Sequence, residues 1–369
     1  MPEIEQARRE RLQAAVAALD ADAALITSPP NVRYLTGLAS SNAAVLVPAS
    51  GTGAVLATDS RYALTARREC PDLELLTERL IEPALARLAA ARGLGRVAFE
   101  AHEMTVERHL AFAAAAADGG AVPDLVPLGR AVEQLRMVKD ESEIAALARA
   151  CAITSRALED LLAILRPGQT ERELAGLLER RMSELGAERP AFETIVASGP
   201  NGAIPHHAPG DRAVGRGDMV TIDCGARYGG YHADLTRTVV IGRPAAWQRE
   251  IYDLAAAAQR AGIEAAVPGA DVARVDGAAR GLIAEGGHAE HFTHGLGHGV
   301  GLEIHEAPIM GYGQTGTLGD RVPITVEPGI YLPGQGGVRI EDTLVVRAGS
   351  GTAAPQDILT TTTRELTVL

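Results

Sequence analysis

The sequence predicts an α/β domain followed by an α+β domain built from two similar halves. Three observations carry this. Short apolar runs alternate with helical stretches over about the first 130 residues; two helix-opening capping patterns follow; and the grammar of that second region returns about one hundred residues later.

The first region, 1–130, opens with helical spacing over residues 4–19. The apolar runs AALIT, AAVLVP, GAVLAT and RVAFE then read as strands, bounded by turn residues. Helical stretches are expected at 82–92 and at 105–117, the latter opening on Thr105. The chemistry here is quiet. Arg33, Tyr34, Arg61 and Tyr62 are candidates for lining a pocket, with ordinary packing and surface roles as the simpler reading.

The second region, 131–369, begins near MVKDESE, where Asp140 and Glu143 form a capping-box pattern. Ile144, Leu147, Cys151, Thr154, Leu158, Leu161 and Leu165 follow at helical spacing. RPGQTERE ends that helix and starts another, with Thr170 and Glu173 as a second box. LRPGQTERELAGLLERRMSELG then aligns with AVPGADVARVDGAARGLIAEGG, pairing Pro167 with Pro268, Gly168 with Gly269 and Thr170 with Asp271. This predicts two related half-domains, each a helix pair followed by strands. Chance likeness between two helix-turn-helix units is the alternative.

Bulk composition narrows the function. With 46% hydrophobic residues in 369, the chain can bury a large core, and with 3% aromatics that core is mostly aliphatic. A formal net charge of −12 argues against nucleic acid or an anionic membrane as the main partner. The three cysteines, Cys70, Cys151 and Cys224, are too scattered for a disulfide framework or a CxxC metal site, so a reducing compartment is expected. MPEIEQARRERLQ has no apolar leader core, and no run reaches the ~18 apolar residues of a membrane span. The expectation is a cytoplasmic protein.

Acids placed on strands carry the chemistry. In VTIDCGARYGGYHADLTRT, Gly229-Gly230 signals a two-residue hairpin turn, which sets Asp223 opposite Thr236 and Asp234 opposite Gly225. Asp223 and Asp234 then share one face as diagonal neighbours. Paired carboxylates on a buried strand repel each other and resist desolvation unless a cation joins them. In ITVEPGIYLPGQGGVRIEDT, a turn centred near Gly334 would set Glu327 opposite Glu341. Between these hairpins lies HGLGHGVGLEIHE, residues 294–306, with His294, His298 and His305 among glycines. The glycines would allow close backbone approach and unusual φ/ψ, and the histidines would supply neutral nitrogen ligands or proton carriers. Four carboxylates and an imidazole are too oxygen-rich for structural zinc; they suit one or two divalent ions such as Mn²⁺. Taken singly, each acid has an ordinary explanation in turn chemistry or a salt bridge. The doubled arrangement is much more specific, because it appears twice in the same form.

At IDCG, HADLTRT, HGLGHGVGLEIHE, ITVEPGIY and VRIEDT the chain resembles the metal-dependent pita-bread peptidases, in the Xaa-Pro aminopeptidase (aminopeptidase P) and Xaa-Pro dipeptidase (prolidase) branch. NGAIPHHAPGDR, MVKDESEI, NVRYLTGL and TDSRY extend the likeness over nearly the whole chain. It implies a creatinase/prolidase-type N-terminal domain at 1–130 and a pita-bread catalytic domain with two pseudo-symmetric halves at 131–369. It implies two divalent ions, Mn²⁺ first with Co²⁺, Zn²⁺ or Fe²⁺ as alternatives, held by Asp223, Asp234, His298, Glu327 and Glu341. It makes His305 the histidine that stabilises the tetrahedral intermediate. It sets His206 near the scissile bond, with His207 as the rival assignment, and gives Glu327 the proton of the attacking water. It makes His294 a substrate-pocket residue and Arg339 a substrate-side residue or a partner of the metal carboxylates. The implied reaction is hydrolysis, by a metal-bridging hydroxide, of the bond before a proline in second position, in peptides or dipeptides, by a homodimer. Creatinase lacks these carboxylates, methionine aminopeptidase usually lacks the first domain, and three-domain aminopeptidase P is far longer. The alternatives are a same-fold hydrolase acting on a non-peptide amide or C–N bond, and a metal-binding homologue without catalysis.

Overall fold

The computed structural model describes residues 2–120, 122–348 and 356–369. The chain divides into two compact units, Met1–Arg136 and Met137–Leu369.

The first unit contains α1 (Pro2–Ala18), β1 (Ala23–Ile26), α2 (Pro29–Thr36), β2 (Ala43–Pro48), β3 (Val55–Thr58), α3 (Ala63–Glu69), β4 (Glu74–Thr77), α4 (Ile81–Ala91), β5 (Arg96–Phe99), α5 (Val106–Asp118), β6 (Asp124–Pro127) and most of α6 (Ala131–Met137). Its six strands form one mixed sheet in the order β4-β3-β2-β1-β5-β6. Every residue of β1 and β3 is buried, so these strands read as continuous apolar runs. The edge strands β4 and β6 bury only their middles, which is why ELLT and DLVP carry no such run. Thr105 caps α5 by accepting from the Arg108 N–H at 3.2 Å.

The unit extends past residue 130 because α6 is tied back into it. Arg136 Nη1 donates to Asn31 Oδ1 at 2.7 Å, and the Tyr34 hydroxyl donates to the Leu135 carbonyl at 3.3 Å. Tyr34 is fully buried under the Arg8 guanidinium, Arg61 pairs with Asp59, and Tyr62 bonds Ser41. These are the packing and surface roles of the simpler reading.

The second unit begins with α7 (Glu141–Ile164), α8 (Glu171–Glu184), β7 (Arg189–Pro190), β8 (Ile195–Ser198), β9 (Met219–Cys224), β10 (Ala226–Tyr228), β11 (Tyr231–His232) and β12 (Leu235–Val240). It continues with α9 (Ala246–Ala265), α10 (Val272–Glu285), β13 (Gly297–Gly299), β14 (Glu306–Met310), β15 (Val322–Val326), β16 (Gly329–Leu332), β17 (Gly336–Arg339), β18 (Asp342–Val346) and β19 (Gln356–Ile358). Both capping boxes form, at Asp140 with Glu143 and at Thr170 with Glu173. Asp271 caps α10 by accepting from the Ala273 and Arg274 N–H groups.

The repeat is structural. The Gly168 N–H donates to the Val214 carbonyl at 2.8 Å, and the aligned Gly269 N–H donates to the Leu318 carbonyl at 2.7 Å. Val214 and Leu318 return matching bonds to Gln169 and Ala270, and the caps Thr170 and Asp271 each form an antiparallel bridge, to Ala213 and Thr317. Each helix pair covers a sheet: β12-β9-β8 in the first half, and β13-β15-β18 within a five-stranded sheet in the second. One aliphatic core forms under each pair, around Leu158, Leu174 and Ile222 and around Ile251, Val275 and Ile324.

The hairpin registers position the acids. Gly229 and Gly230 turn with φ +58° and +89°, left-handed values that favour glycine. Thr236 faces Asp223, as the two-residue turn requires. In the second half one register runs through both strand pairs, with Val326 opposite Asp342 and Gly329 opposite Arg339. That sets Glu327 across from Glu341 in the gap between the pairs.

Candidate metal centre

The two hairpins and β13 bring the predicted residues together. Asp234, His298 and Glu341 are buried, and each offers a ligand atom within 4.8 Å of the others. His298 Nε2 lies 3.5 Å from Asp234 Oδ2 and 3.4 Å from Glu327 Oε1. Asp223 lines the same pocket, and its Oδ2 accepts from Arg339 Nη2 at 2.7 Å. Thr236 Oγ1 donates to Glu341 Oε2 at 2.6 Å. Asp223, Asp234, His298, Glu327, Arg339 and Glu341 form one wall of a pocket of about 440 Å³.

Glycines flank His298 because neighbouring backbones leave no room for a side chain. A Cβ on Gly297 would stand 2.1 Å from the Thr325 carbonyl oxygen, and one on Gly299 would stand 2.1 Å from that of Ala307. None of the glycines of this stretch adopts a positive φ, and the strand register shifts between His298 and Gly299.

The donor set fits a cation. Asp223 Oδ1 and Glu341 Oε1 are buried and have no hydrogen-bond partner among the described residues. His298 Nδ1 donates to the Gly299 carbonyl at 2.9 Å, so Nε2 carries a lone pair toward two carboxylates. Lone pair facing carboxylate is repulsive unless a proton or a metal ion stands between them. In the metal-free protein, burial first and then neighbouring carboxylates push Asp234 and Glu341 well above the usual range. Burial pushes Glu327 up to about 8. Burial pushes His298 and His294 down, each to about 4.

This gives a pH dependence with a definite sign. Stability from the protonated Glu327 is present below its ordinary 4.5 and is lost as pH rises through about 8. The histidines oppose this only below their ordinary 6.5, where the unfolded chain takes their protons. From pH 6.5 to 8 the metal-free protein should lose roughly 1 kcal/mol per pH unit for each proton it holds. Urea unfolding of chelator-treated protein at both pH values checks this; equal stability would contradict it.

The remaining candidates also line the pocket. His305 stands with its ring 4.4 Å from that of His298, edge to face. His206 and His207 both reach the pocket wall, but His207 Nε2 is tied to Glu171 at 2.8 Å. His294 Nδ1 donates to the Gly295 carbonyl at 2.8 Å, leaving Nε2 to accept from the Tyr331 hydroxyl at 2.9 Å. That hydroxyl accepts from Arg339 Nη1 at 2.8 Å, and Arg339 Nε donates to Thr236 Oγ1 at 3.1 Å. Arg339 is 3% exposed and its guanidinium is engaged by protein oxygens, which orients Asp223. Phe192, Ile195, Pro205, Ile304 and Ile309 supply apolar wall.

Sequence reasoning missed Tyr331 and Glu171. Tyr331 lies on β16, and its residue type gave no sign of its bond to His294. Glu171 sits inside the second capping box, where its helix role hid its other contacts.

Residues 145–348 match metallopeptidase family M24, and residues 8–138 match the creatinase/prolidase N-terminal domain. The chain is 36% identical over 355 residues to the uncharacterized peptidase YqhT of Bacillus subtilis, covering 95% of this chain and 99% of that protein. Its structure is similar to an Xaa-Pro dipeptidase from Bacillus anthracis, with TM-score 0.93, 34% identity and coverage of 99% and 100% of the two chains. It is also similar to an X-Pro aminopeptidase from Thermotoga maritima, with TM-score 0.87, 35% identity and coverage of 98% and 99%.

Proposed function

This chain belongs to metallopeptidase family M24, and on that premise we propose that it hydrolyses the peptide bond preceding proline, at the N-terminus of peptides or in dipeptides. One observation carries the reading: buried Asp234, His298 and Glu341 converge in a pocket whose wall also holds His206 and His305. Asp223, Asp234, His298, Glu327 and Glu341 would hold two divalent ions, Mn²⁺ first. When bound, such ions supply an acidified water as nucleophile and a Lewis acid for the scissile carbonyl.

The chain's own groups do the rest. Glu327 takes the proton of the attacking water. His305 donates to the carbonyl oxygen as it gains charge, an interaction often worth ~3–4 kcal/mol. His206 protonates the leaving nitrogen, which in proline carries no hydrogen of its own before cleavage. The apolar wall of Phe192, Ile304 and Ile309 suits a proline ring. The reading extends to a homodimer in the cytoplasm, consistent with three free, buried cysteines.

The test is a panel of Xaa-Pro and Xaa-Pro-Xaa peptides after reconstitution with Mn²⁺. Cleavage of either class before proline supports the function, and the preferred class separates dipeptidase from aminopeptidase. Cleavage of neither would overturn it. His305→Ala should lower kcat by roughly 10²–10³-fold with metal content unchanged. Loss of metal in that variant would mean His305 serves the ions instead.

A further inference from the structure

One carboxylate holds the segment that presents His206. Glu171 is the first residue of α8 and is fully buried. Its Oε1 accepts from the Ser198 N–H at 2.8 Å, Ser198 Oγ at 2.8 Å and Asn201 Nδ2 at 2.9 Å. Its Oε2 accepts from His207 Nε2 at 2.8 Å and the Gly210 N–H at 3.1 Å. These donors bracket His206 on both sides. Beyond Ser198, the last residue of β8, and a short 3₁₀ turn at Gly199–Ala203, the segment has no strand or helix up to residue 210. It therefore depends on such contacts for its course.

The internal repeat supplies a comparison within the molecule. Glu171 aligns with Val272, which follows its cap Asp271 in the same way and is fully buried. The helix thus forms at that position without an acid. A buried charge is costly unless it is well satisfied, so its presence in one half only calls for a local cause. In the second half the His294 segment is held differently. Asp276 accepts from the Leu296 N–H at 3.0 Å, and its partner Arg280 donates to the His294 carbonyl at 2.6 Å. Each half secures its own histidine segment, with an acid from a different turn of the equivalent helix.

We infer that Glu171 is a positioning residue for hydrolysis, fixing the 198–210 segment so that His206 meets the leaving nitrogen, with His207 as the latch. This rests on the function proposed above. Glu171→Gln is nearly isosteric, but its amide would turn a donor toward the Gly210 N–H or toward Ser198. In the Mn²⁺-loaded enzyme it should lower kcat by ~10- to ~100-fold, the range a small misplacement produces, with KM and bound metal little changed. His207→Ala should give a smaller loss in the same direction.

Two readouts separate this from a merely structural role. If Glu171 acts through His206, the double variant Glu171→Gln/His206→Ala is no slower than His206→Ala alone; additive losses would overturn the inference. Hydrogen exchange at Ser198 and Gly210 should accelerate in Glu171→Gln while β9 and β12 stay protected; unchanged exchange at both amides would also overturn it. If Glu171→Gln does not fold, His207→Ala alone and with His206→Ala carries the same cycle and exchange test. The exchange arm needs no substrate, so a wild-type chain without Xaa-Pro hydrolysis would overturn the function and leave this arm to decide the role of Glu171.

Discussion

Glu341→Gln and Asp234→Asn will each lower kcat for Xaa-Pro hydrolysis by ~10³-fold or more and strip metal from the protein, yet leave the metal-free fold intact. The activity loss follows from the work asked of the ions: several kcal/mol of charge stabilisation corresponds to about three decades in rate. The tolerance of the fold follows from burial. Both carboxyls are raised well above their usual range in the metal-free protein, so ionising them near neutral pH opposes folding. A neutral amide of the same shape removes that opposition, and at position 341 it can still accept from Thr236 Oγ1. Each variant should therefore be as stable as, or more stable than, the metal-free wild type at pH 8. Metal analysis, kinetics and urea unfolding measure the three parts. A variant that kept metal and near-normal kcat would remove its residue from the ligand set.

Arg339→Met produces the largest stability loss expected from a single side chain near the site. Arg339 donates to Asp223, Tyr331 and Thr236 and is almost wholly buried. Methionine fills similar volume but leaves Asp223 without its partner, among three other acids. Breaking a buried pair from one side costs on the order of 3–5 kcal/mol. The loss should appear in full in metal-free protein and shrink when divalent ions are added, because a cation takes over part of the guanidinium's role toward Asp223. Urea unfolding with and without Mn²⁺ measures it. An equal loss in both states would mean that Arg339 is a packing residue with no link to the metal carboxylates.

Local rules made part of this architecture readable. A two-residue glycine turn admits one register, and it puts Thr236 across from Asp223 as the structure does. The repeat was legible in its Pro-Gly turn and its cap, which are the points where the halves share hydrogen bonds. Elements whose signal is tertiary were not legible. Strands β4 and β6 expose both ends and bury only two partly covered residues each, so nothing in their sequence rises above a loop. The IEDT stretch shows the same limit: Glu341 faces the pocket, while Asp342 faces the core. There Asp342 accepts from Arg237, Thr360, Gln259 and Arg364, residues scattered over the chain. Glu171 gathers donors 27 to 39 positions away, on a segment with no periodicity to announce them.

If acids from the two hairpins and one strand histidine enclose a pair of ions, anomalous diffraction from a crystal grown with Mn²⁺ will show two manganese peaks among Asp223, Asp234, His298, Glu327 and Glu341. A map with manganese elsewhere on the protein, and none among those five side chains, would contradict it.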